Sequence, residues 1–573
     1  MTPAEVACGS CGAELRVNAK FCDTCGAAAI SASEPAEYKQ VTVLFADIVG
    51  SMRIAPVVGA ERLREIVADV VSSATVVVRR YGGMVESFTG DGIMAVFGAP
   101  AALEDHAFRA CLAALGIQEE AKRLAGEVLA RDAVELRVRI GLNSGQVVTG
   151  ERGPGARGYT TIGAQVGMAQ RMESAAPPGG IMLAEYTARL VEHAAILGEP
   201  EMVHIKGRDD RVLVRQLLGV ELQRGRSGRR ESTLVGRQWE MGALAGMLDR
   251  SINGNGFVVG VVGPPGIGKS RIAAEIAAVA AKSDLEVFST FCESHASEIP
   301  FRTVAELLRA VLGVEGLEQE DARARVRVRI PDAEPTDLLF LDDVLGIRDT
   351  TLPLPDIAPD ARRRRLTALV NSASLVRTTP VVYVIEDVHW IDQSSERLLT
   401  GFLSVIPQTP SLVLITYRPE YSGPLSRTPG GQTIALAPLN NHQTGTLVAE
   451  LLGTDPSLGG LTAHIAGRAA GNPFFAEEIV RDLADRRVLQ GAPGAYTCPS
   501  GASEVEVPAS LQVAIAARID RLGPAAKRTL YAASVIGQRF GAGLLGNLAD
   551  TTALTGLIEA ELIDQVMFTP RAE

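Results

Sequence analysis

Two aspartates stand at the edges of apolar stretches. Asp47 lies in Phe45-Ala-Asp-Ile-Val-Gly-Ser51, and Asp91 lies in Gly90-Asp-Gly92, just before the apolar run 93–97. A carboxylate beside buried apolar chain is costly unless it has a partner or a task. Two carboxylates brought to one place bind a pair of divalent cations, and paired cations activate phosphoryl chemistry. Each aspartate must therefore be held by a strand or a strand turn that aims it at a common point.

A second group of residues also points to phosphate. Gly263-Pro-Pro-Gly-Ile-Gly-Lys-Ser270 is a complete P-loop pattern, with an apolar strand at 257–262 before it and a helix at 271–281 after it. Gly263, Gly266 and Gly268 leave backbone amides open to phosphate oxygens, Lys269 reaches the β and γ oxygens, and Ser270 ligates magnesium. Val381-Val-Tyr-Val-Ile-Glu-Asp387 is an apolar strand ending in two acids. Glu386 is expected to support magnesium and Asp387 to orient the attacking water, although the two roles could be exchanged.

A third group is soft. Cys8-x2-Cys11 and Cys22-x2-Cys25 are two knuckles ten residues apart, a spacing that suits a tetrathiolate zinc site. A segment this short buries too little core to hold itself, so the metal must do so. The other three of the seven cysteines, Cys111, Cys292 and Cys498, are scattered and read as small buried hydrophobes.

The elements that carry these residues follow from periodicity. Residues 41–45 read as a strand, 57–80 as an amphipathic helix, 84–87 and 93–97 as two strands, 104–127 as a second helix and 136–142 as a strand with one buried face. The order β-α-β-β-α-β is that of a ferredoxin-like layer. From 233 onward, short apolar strands at 256–262, 286–290, 381–385 and 412–416 alternate with helices, the pattern of a doubly wound parallel sheet. Beyond about 425 the chain reads as helical, with only a strand-like stretch at 565–569. The basic run Arg362-Arg-Arg-Arg365 begins a helix and reads as a solvated face or a contact with acidic loops, with a phosphate contact as the sharper alternative.

The whole-chain composition bounds the partners. The chain has 573 residues, 46% of them hydrophobic and 21% charged, with a net charge of -11. This acidity argues against nucleic acid as a partner of the whole surface. No apolar run approaches the roughly 18 residues of a membrane span, and the first residues carry no signal-peptide pattern. A soluble cytoplasmic protein with no membrane contact is expected.

Three motifs in order, Phe45 to Ser51, Phe88 to Phe97 and Arg139 to Val148, resemble the class III nucleotidyl cyclases over about 39–219. The resemblance implies the ferredoxin-like layer and conversion of ATP or GTP to the cyclic nucleotide and pyrophosphate. It implies two Mg²⁺ or Mn²⁺ held by Asp47, Asp91 and the backbone carbonyl of Ile48. The segment 159–172 corresponds to the family's transition-state helix, with Arg171 as its arginine. The ribose-holding asparagine of the family is Gly167 here, and the two base-reading positions fall on Ser87 and Thr160. In the family each site is built across a dimer, so a homodimer is implied.

The P-loop region, Val388-His-Trp-Ile-Asp392, Arg418 and Gly471-Asn-Pro473 resemble the STAND signal-transduction ATPases over about 232–573. That resemblance makes Arg418 a phosphate sensor, places Pro473 near the adenine, and puts Leu234-Val-Gly-Arg237 in the segment over the nucleotide. It implies a helical and winged-helix arm; proteins of that family commonly continue into ligand-binding repeats, so the chain is expected to be either a shortened relative or one part of a split pair whose sensor could be a separate chain. The expected architecture is thus α/β: a zinc ribbon at 1–30, a ferredoxin-like cyclase domain at 39–219, a doubly wound P-loop ATPase at 232–425 and a helical lid with a partial winged-helix arm at 426–573.

Overall fold

The computed structural model describes residue 24, residues 37–151, 159–192, 194–204, 211–220 and 233–499, and parts of 515–563. The four knuckle cysteines, the basic stretch 224–230 and the strand-like 565–569 lie outside the described residues. The chain divides into two compact units, residues 1–228 with 509–573, and residues 229–508.

The first unit begins β1 (Glu37–Ile48), α1 (Ser51–Val58), α2 (Ala60–Arg80), β2 (Met84–Phe88), β3 (Gly92–Phe97), α3 (His106–Asp132) and β4 (Val138–Glu151). It continues β5 (Tyr159–Ile162), α4 (Ala164–Ala175), β6 (Ile181–Ala184), α5 (Glu185–Val191), β7 (Ala195–Leu197), β8 (Glu201–His204) and β9 (Arg211–Val220). Among the described residues these nine strands form one sheet, with β2-β3-β1-β4 at its heart and all three of those pairs antiparallel. That order is the ferredoxin-like layer expected from the sequence. Side chains alternate across it. Leu44, Ala46, Ile48, Ile140 and Leu142 pack with α2 and α3 residues such as Ile66 and Ala110. Val41, Val43, Phe45, Met94 and Val147 pack on the other face with Ala169 of α4.

Two elements depart from expectation. The helix expected at 57–80 is two helices, because Gly59 takes φ +83° and breaks the ladder. The strand expected at 136–142 runs on to Glu151, since β4 pairs with β1 along twelve positions and then with β5. Behind this sheet Thr42 Oγ1 meets His106 Nδ1 and Ser144 Oγ, each at 2.7 Å.

The second unit opens with α6 (Gln238–Ile252), β10 (Phe257–Val262), α7 (Lys269–Lys282) and β11 (Glu286–Phe291). Helices α8 (Arg302–Leu312), α9 (Gln319–Arg329), α10 (Pro335–Val344) and α11 (Pro359–Leu375) lead to β12 (Val381–Glu386), α12 (Gln393–Leu403), β13 (Ser411–Tyr417) and β14 (Gln432–Ala435). The sheet is parallel, in the order β11-β12-β13-β10-β14. Alternate residues serve opposite faces: Val382, Val384, Leu412 and Leu414 pack with α6 and α7, while Tyr383, Ile385, Val413 and Ile415 pack with α8, α11 and α12. This is the doubly wound sheet.

The expectation of no strong strand beyond about 425 meets β14, a short fifth strand beside β10. It is a four-residue edge strand with one buried residue, too short and too polar to announce itself. Helices α13 (Asn441–Leu452), α14 (Gly459–Ala469) and α15 (Pro473–Asp485) follow, then the hairpin β15 (Gln490–Ala492) and β16 (Ala495–Thr497). The basic run on α11 meets acids: Arg362 pairs with Asp343, Arg363 with Asp360 and Arg365 with Asp337.

Candidate functional site

Asp47 is the penultimate residue of β1, opposite Gly92 of β3 and Arg139 of β4. Its parity with Val43 and Phe45 sends its side chain to the face that α4 covers. Asp91 lies in the turn between β2 and β3, where Gly90 takes φ +96°. Gly92 has no room for a side chain: a Cβ there would lie 2.2 Å from the Ala46 carbonyl and 2.9 Å from Asp47 Oδ1. That bare position lets the turn close on β1 and brings the two carboxyls together. Ser51, at the start of α1, donates to Asp91 Oδ2 at 2.5 Å.

The electrostatics are those of two carboxylates in one place. Burial, the hydrogen bond with Asp91 and the Asp91 charge push the Asp47 carboxyl up to about 7, while Arg139 pulls the other way. Burial opposes ionisation of Asp91 as well, but the contacts from Ser51 and Asp47 outweigh it and hold Asp91 below its ordinary value. A shared proton between two half-buried oxygen donors is the arrangement a divalent cation replaces, so this donor set suits Mg²⁺ or Mn²⁺. Ile48, the last residue of β1, has its side chain locked in the core.

The other expected residues are positioned as follows. Arg171 and Gly167 both lie on α4, and a Cβ at Gly167 would meet open space. Ser87 follows a bulge in β2, and its hydroxyl lies 3.6 Å from Met94 Sδ. Thr160 lies on β5 opposite Gly150, with its side chain outside the described residues. Asn143 does not stand in for the missing asparagine, because its amide donates to the Gln165 carbonyl at 3.1 Å and to Gln165 Oε1 at 2.7 Å.

Ser51, Arg139 and Glu173 escaped sequence reasoning. Arg139 has its Nη2 3.7 Å from Asp47 Oδ2 and pairs through Nε with Glu173 of α4. The available signal was parity: Arg139 alternates with Ile140 and Leu142 and so shares the Asp47 face.

In the second unit the P-loop joins β10 to α7. Gly266 and Gly268 take φ +79° and +104°, which the loop needs to turn its amides inward. The Lys269 ammonium is buried and donates to the carbonyls of Gly263 at 2.8 Å and Pro264 at 3.0 Å. Ser270 follows it on the first turn of α7. Glu386 ends β12, and Asp387 turns out of the strand at φ +55°, a strained conformation for an aspartate. The Asp387 amide donates to Thr416 Oγ1 of β13 at 2.9 Å.

Arg418 stacks over Trp390 at 5.8 Å, and Trp390 lies 5.1 Å from His389, so the arginine is brought to the loop after the two acids. Pro473 opens α15, and Asn472 before it donates to the Pro265 carbonyl at 2.9 Å while capping the helix. Arg237 and Asn472 lay inside motifs quoted from the sequence, but neither they nor Thr416 had been given a contact there. Arg237, 5% exposed, donates to the carbonyls of Ile267 at 3.2 Å and Ala437 at 2.8 Å. An Asn-Pro pair opening a helix is a capping signal, and a lone threonine in an apolar strand is a polar one.

Comparison with known proteins finds family matches in each unit. Residues 33–217 match the adenylate and guanylate cyclase catalytic domain, residues 233–415 match the AAA ATPase domain, and residues 440–494 match a domain of unknown function. The chain carries a class III nucleotidyl cyclase domain fused to an AAA-type ATPase domain. An uncharacterised protein of Rhizobium meliloti is 27% identical over 547 residues, covering 91% of this chain and 52% of its own length. The soluble guanylate cyclase gcy-34 of Caenorhabditis elegans is 29% identical over 179 residues, 31% of this chain and 26% of that protein. The chain therefore spans about half the length of the first relative and a quarter of the second. Among solved structures, the adenylyl cyclase CyaB from P. aeruginosa aligns at 26% identity and a TM-score of 0.31, over 33% of this chain and 98% of that one. Among the described residues no helix is long and apolar enough to cross a membrane.

Proposed function

We propose that the chain is a signalling nucleotidyl cyclase that converts ATP to cyclic AMP and pyrophosphate as a homodimer, under the control of a fused STAND-type ATP switch. The observation that carries this reading is the Asp47–Asp91 pair, whose shared hydrogen bond and raised Asp47 carboxyl mark a site for paired cations. Two Mg²⁺ or Mn²⁺ held by Asp47, Asp91 and the Ile48 carbonyl would lower the pKa of the ribose 3′-hydroxyl and neutralise the triphosphate. Ser51 orients Asp91 for that task. Arg171 offers a planar fork of donors to the phosphate oxygens where charge builds during transfer. In a homodimer each subunit lends its aspartates to one site and its Arg171 to the other. Ser87 and Thr160 face the purine in this reading.

In the second unit Lys269 and Ser270 would hold ATP with Mg²⁺, Glu386 and Asp387 would hold the cation and aim the water, and Arg418 would read the terminal phosphate. The four knuckle cysteines, whose spacing suits one zinc per chain, are checked by elemental analysis.

A second reading has its own support. Gly167 offers no side chain to the ribose, and the Ser87 hydroxyl already contacts Met94. The domain then serves as a nucleotide-binding dimerisation module without turnover. Purified chain incubated with Mn²⁺ and ATP or GTP separates the two. Cyclic AMP from the wild type and none from Asp47→Ala supports the cyclase. Equal signals from both proteins sink it, and cyclic GMP alone moves the substrate to GTP.

A further inference from the structure

We propose that Tyr421 is a positioning residue for Arg418: its hydroxyl, bonded to Glu396 of α12, pins the turn 418–421 so that the arginine stays over the loop that carries Asp387. This inference rests on the reading of Arg418 as the group that senses the terminal phosphate of ATP. Three contacts in register carry it. The Asp387 amide donates to Thr416 Oγ1 at 2.9 Å, Arg418 Cζ lies 5.8 Å from the Trp390 ring centre, and Tyr421 Oη donates to Glu396 Oε1 at 2.6 Å. Residues 416, 418 and 421, at and beyond the end of β13, thus meet residues 387, 390 and 396, beyond the end of β12, in chain order. The two strand exits are laced together at the carboxyl edge of a parallel sheet, where doubly wound folds place their ligands.

The local chain explains why the third contact fixes Arg418. Arg418-Pro-Glu-Tyr421 is a β-turn, closed by the Tyr421 amide donating to the Arg418 carbonyl at 3.0 Å, with Pro419 where a preset φ suits such a turn. Arg418 opens this bend, so its direction follows the anchors at the two ends. At the near end Tyr417 is 5% exposed and covers Gly260 of β10, where a Cβ would lie 2.8 Å from the Tyr417 ring. At the far end the Tyr421 ring stands 5.6 Å from that of Tyr417, and its hydroxyl is held by both Glu396 and the Leu425 backbone. Gly423 is bare beside this pair: a Cβ there would lie 2.5 Å from Tyr421 Oη and press on Glu396 Oε1. Burial first, then the Glu396 hydrogen bond, raises the Tyr421 phenol above its ordinary value, so it stays a donor at neutral pH. Glu396 lies in the first turn of α12, which Asp392 caps through the Ser395 amide at 2.8 Å and which buries Leu398, Leu399 and Phe402 in the core. The turn is thus pinned to a fixed helix. It bears on the third phosphate alone, since the P-loop between β10 and α7 serves the other two.

The test reads the preference for a third phosphate, which general damage to the domain would not move by itself. ATPγS and ADP are titrated with Mg²⁺ into the full-length chain by isothermal calorimetry, and the ratio of their affinities is compared between variants. Arg418→Ala is expected to cost ATPγS roughly tenfold relative to ADP, the scale of one hydrogen bond to a charged group. Tyr421→Phe keeps the ring and its packing on Tyr417. It should cost the same ratio roughly fivefold, while ADP binds within about twofold of wild type. The double variant should be no worse than Arg418→Ala, because both changes act through one guanidinium. Glu396→Gln keeps an acceptor for the phenol, so its ratio should stay within about twofold of wild type.

An unchanged ratio in folded Tyr421→Phe overturns the proposal, and so does a double variant that falls further than Arg418→Ala. Loss of ADP and ATPγS in equal measure makes Tyr421 a packing residue only and overturns it as well. Should Tyr421→Phe not fold, Glu396→Ala decides on the same criteria. A wild-type chain that binds neither nucleotide, or an Arg418→Ala variant with the wild-type ratio, fails earlier, at the reading of the ATP site itself, and takes this inference with it.

Discussion

At the scale of single residues, the site is defined by what stands next to each carboxylate and by what is missing on α4. Gly167 leaves open space where the family's side chain would reach the ribose. A Cβ there meets no atom within 4 Å, and asparagine is a better helix residue than glycine. If the lost amide limits turnover, Gly167→Asn should raise kcat by up to roughly 10² in steady-state kinetics, the usual worth of one oriented donor. An unchanged kcat would mean that the ribose is held by another group. The Asp47 carboxyl carries a pH prediction. Its value rises from 3.8 in the ordinary case to about 7 in the folded chain. The folded, metal-free chain therefore keeps a proton there that the unfolded chain has released, and this group's contribution to stability is lost as pH rises through that window. Cation binding has the opposite slope, because the proton must leave first. Mn²⁺ affinity should climb by about tenfold per pH unit below 7 and level off above it, as read by calorimetric titration. Asp47→Ala should remove the slope.

At the scale of elements, the two-residue alternation of the strands explains both the core and the site. The same parity that buries Leu44, Ala46 and Ile48 against α2 and α3 delivers Asp47 to the opposite face. The aspartate pair, the P-loop and the acids after 385 were legible in the sequence, because each combines an apolar strand with polar residues at its end. The strand order followed from the β-α-β-β-α-β reading. Arg139 and Glu173 were not legible as a pair, because they are 34 positions apart in the chain and meet only through the packing of α4 on β4. Asn143 shows the limit of proximity in sequence, since its amide is spent on Gln165. β14 hid because an edge strand buries one residue. The close approach of α4 to β4 is itself testable. Gly141→Ala would place a Cβ 1.9 Å from the Glu173 amide, so it should destabilise the first unit by about 3 kcal/mol in denaturant unfolding. A change under about 0.5 kcal/mol would show that the helix can move away freely.

At the scale of the whole molecule, two units share one chain, each with its own core, one matched by the cyclase domain and one by the ATPase domain. The cyclase reading requires two copies of the chain. Asp47→Ala and Arg171→Ala should each be inactive alone, yet an equimolar mixture should regain about a quarter of wild-type activity. Half of randomly mixed dimers are mixed, and each has one intact site of two. Absence of recovery, with mixed dimers shown by mass, would place both residues in one subunit's site. The central claim is that Asp47 and Asp91 hold cations for cyclisation of a nucleoside triphosphate. Its most direct measurement is chromatographic detection of cyclic AMP and cyclic GMP made by the purified full-length chain with Mn²⁺ and each triphosphate. The account predicts cyclic AMP from the wild type and at least a hundredfold less from Asp47→Ala, on the order of losing the metal site. Cyclic nucleotide at equal rates from both, or none from a wild type that binds both Mn²⁺ and ATP, would contradict it.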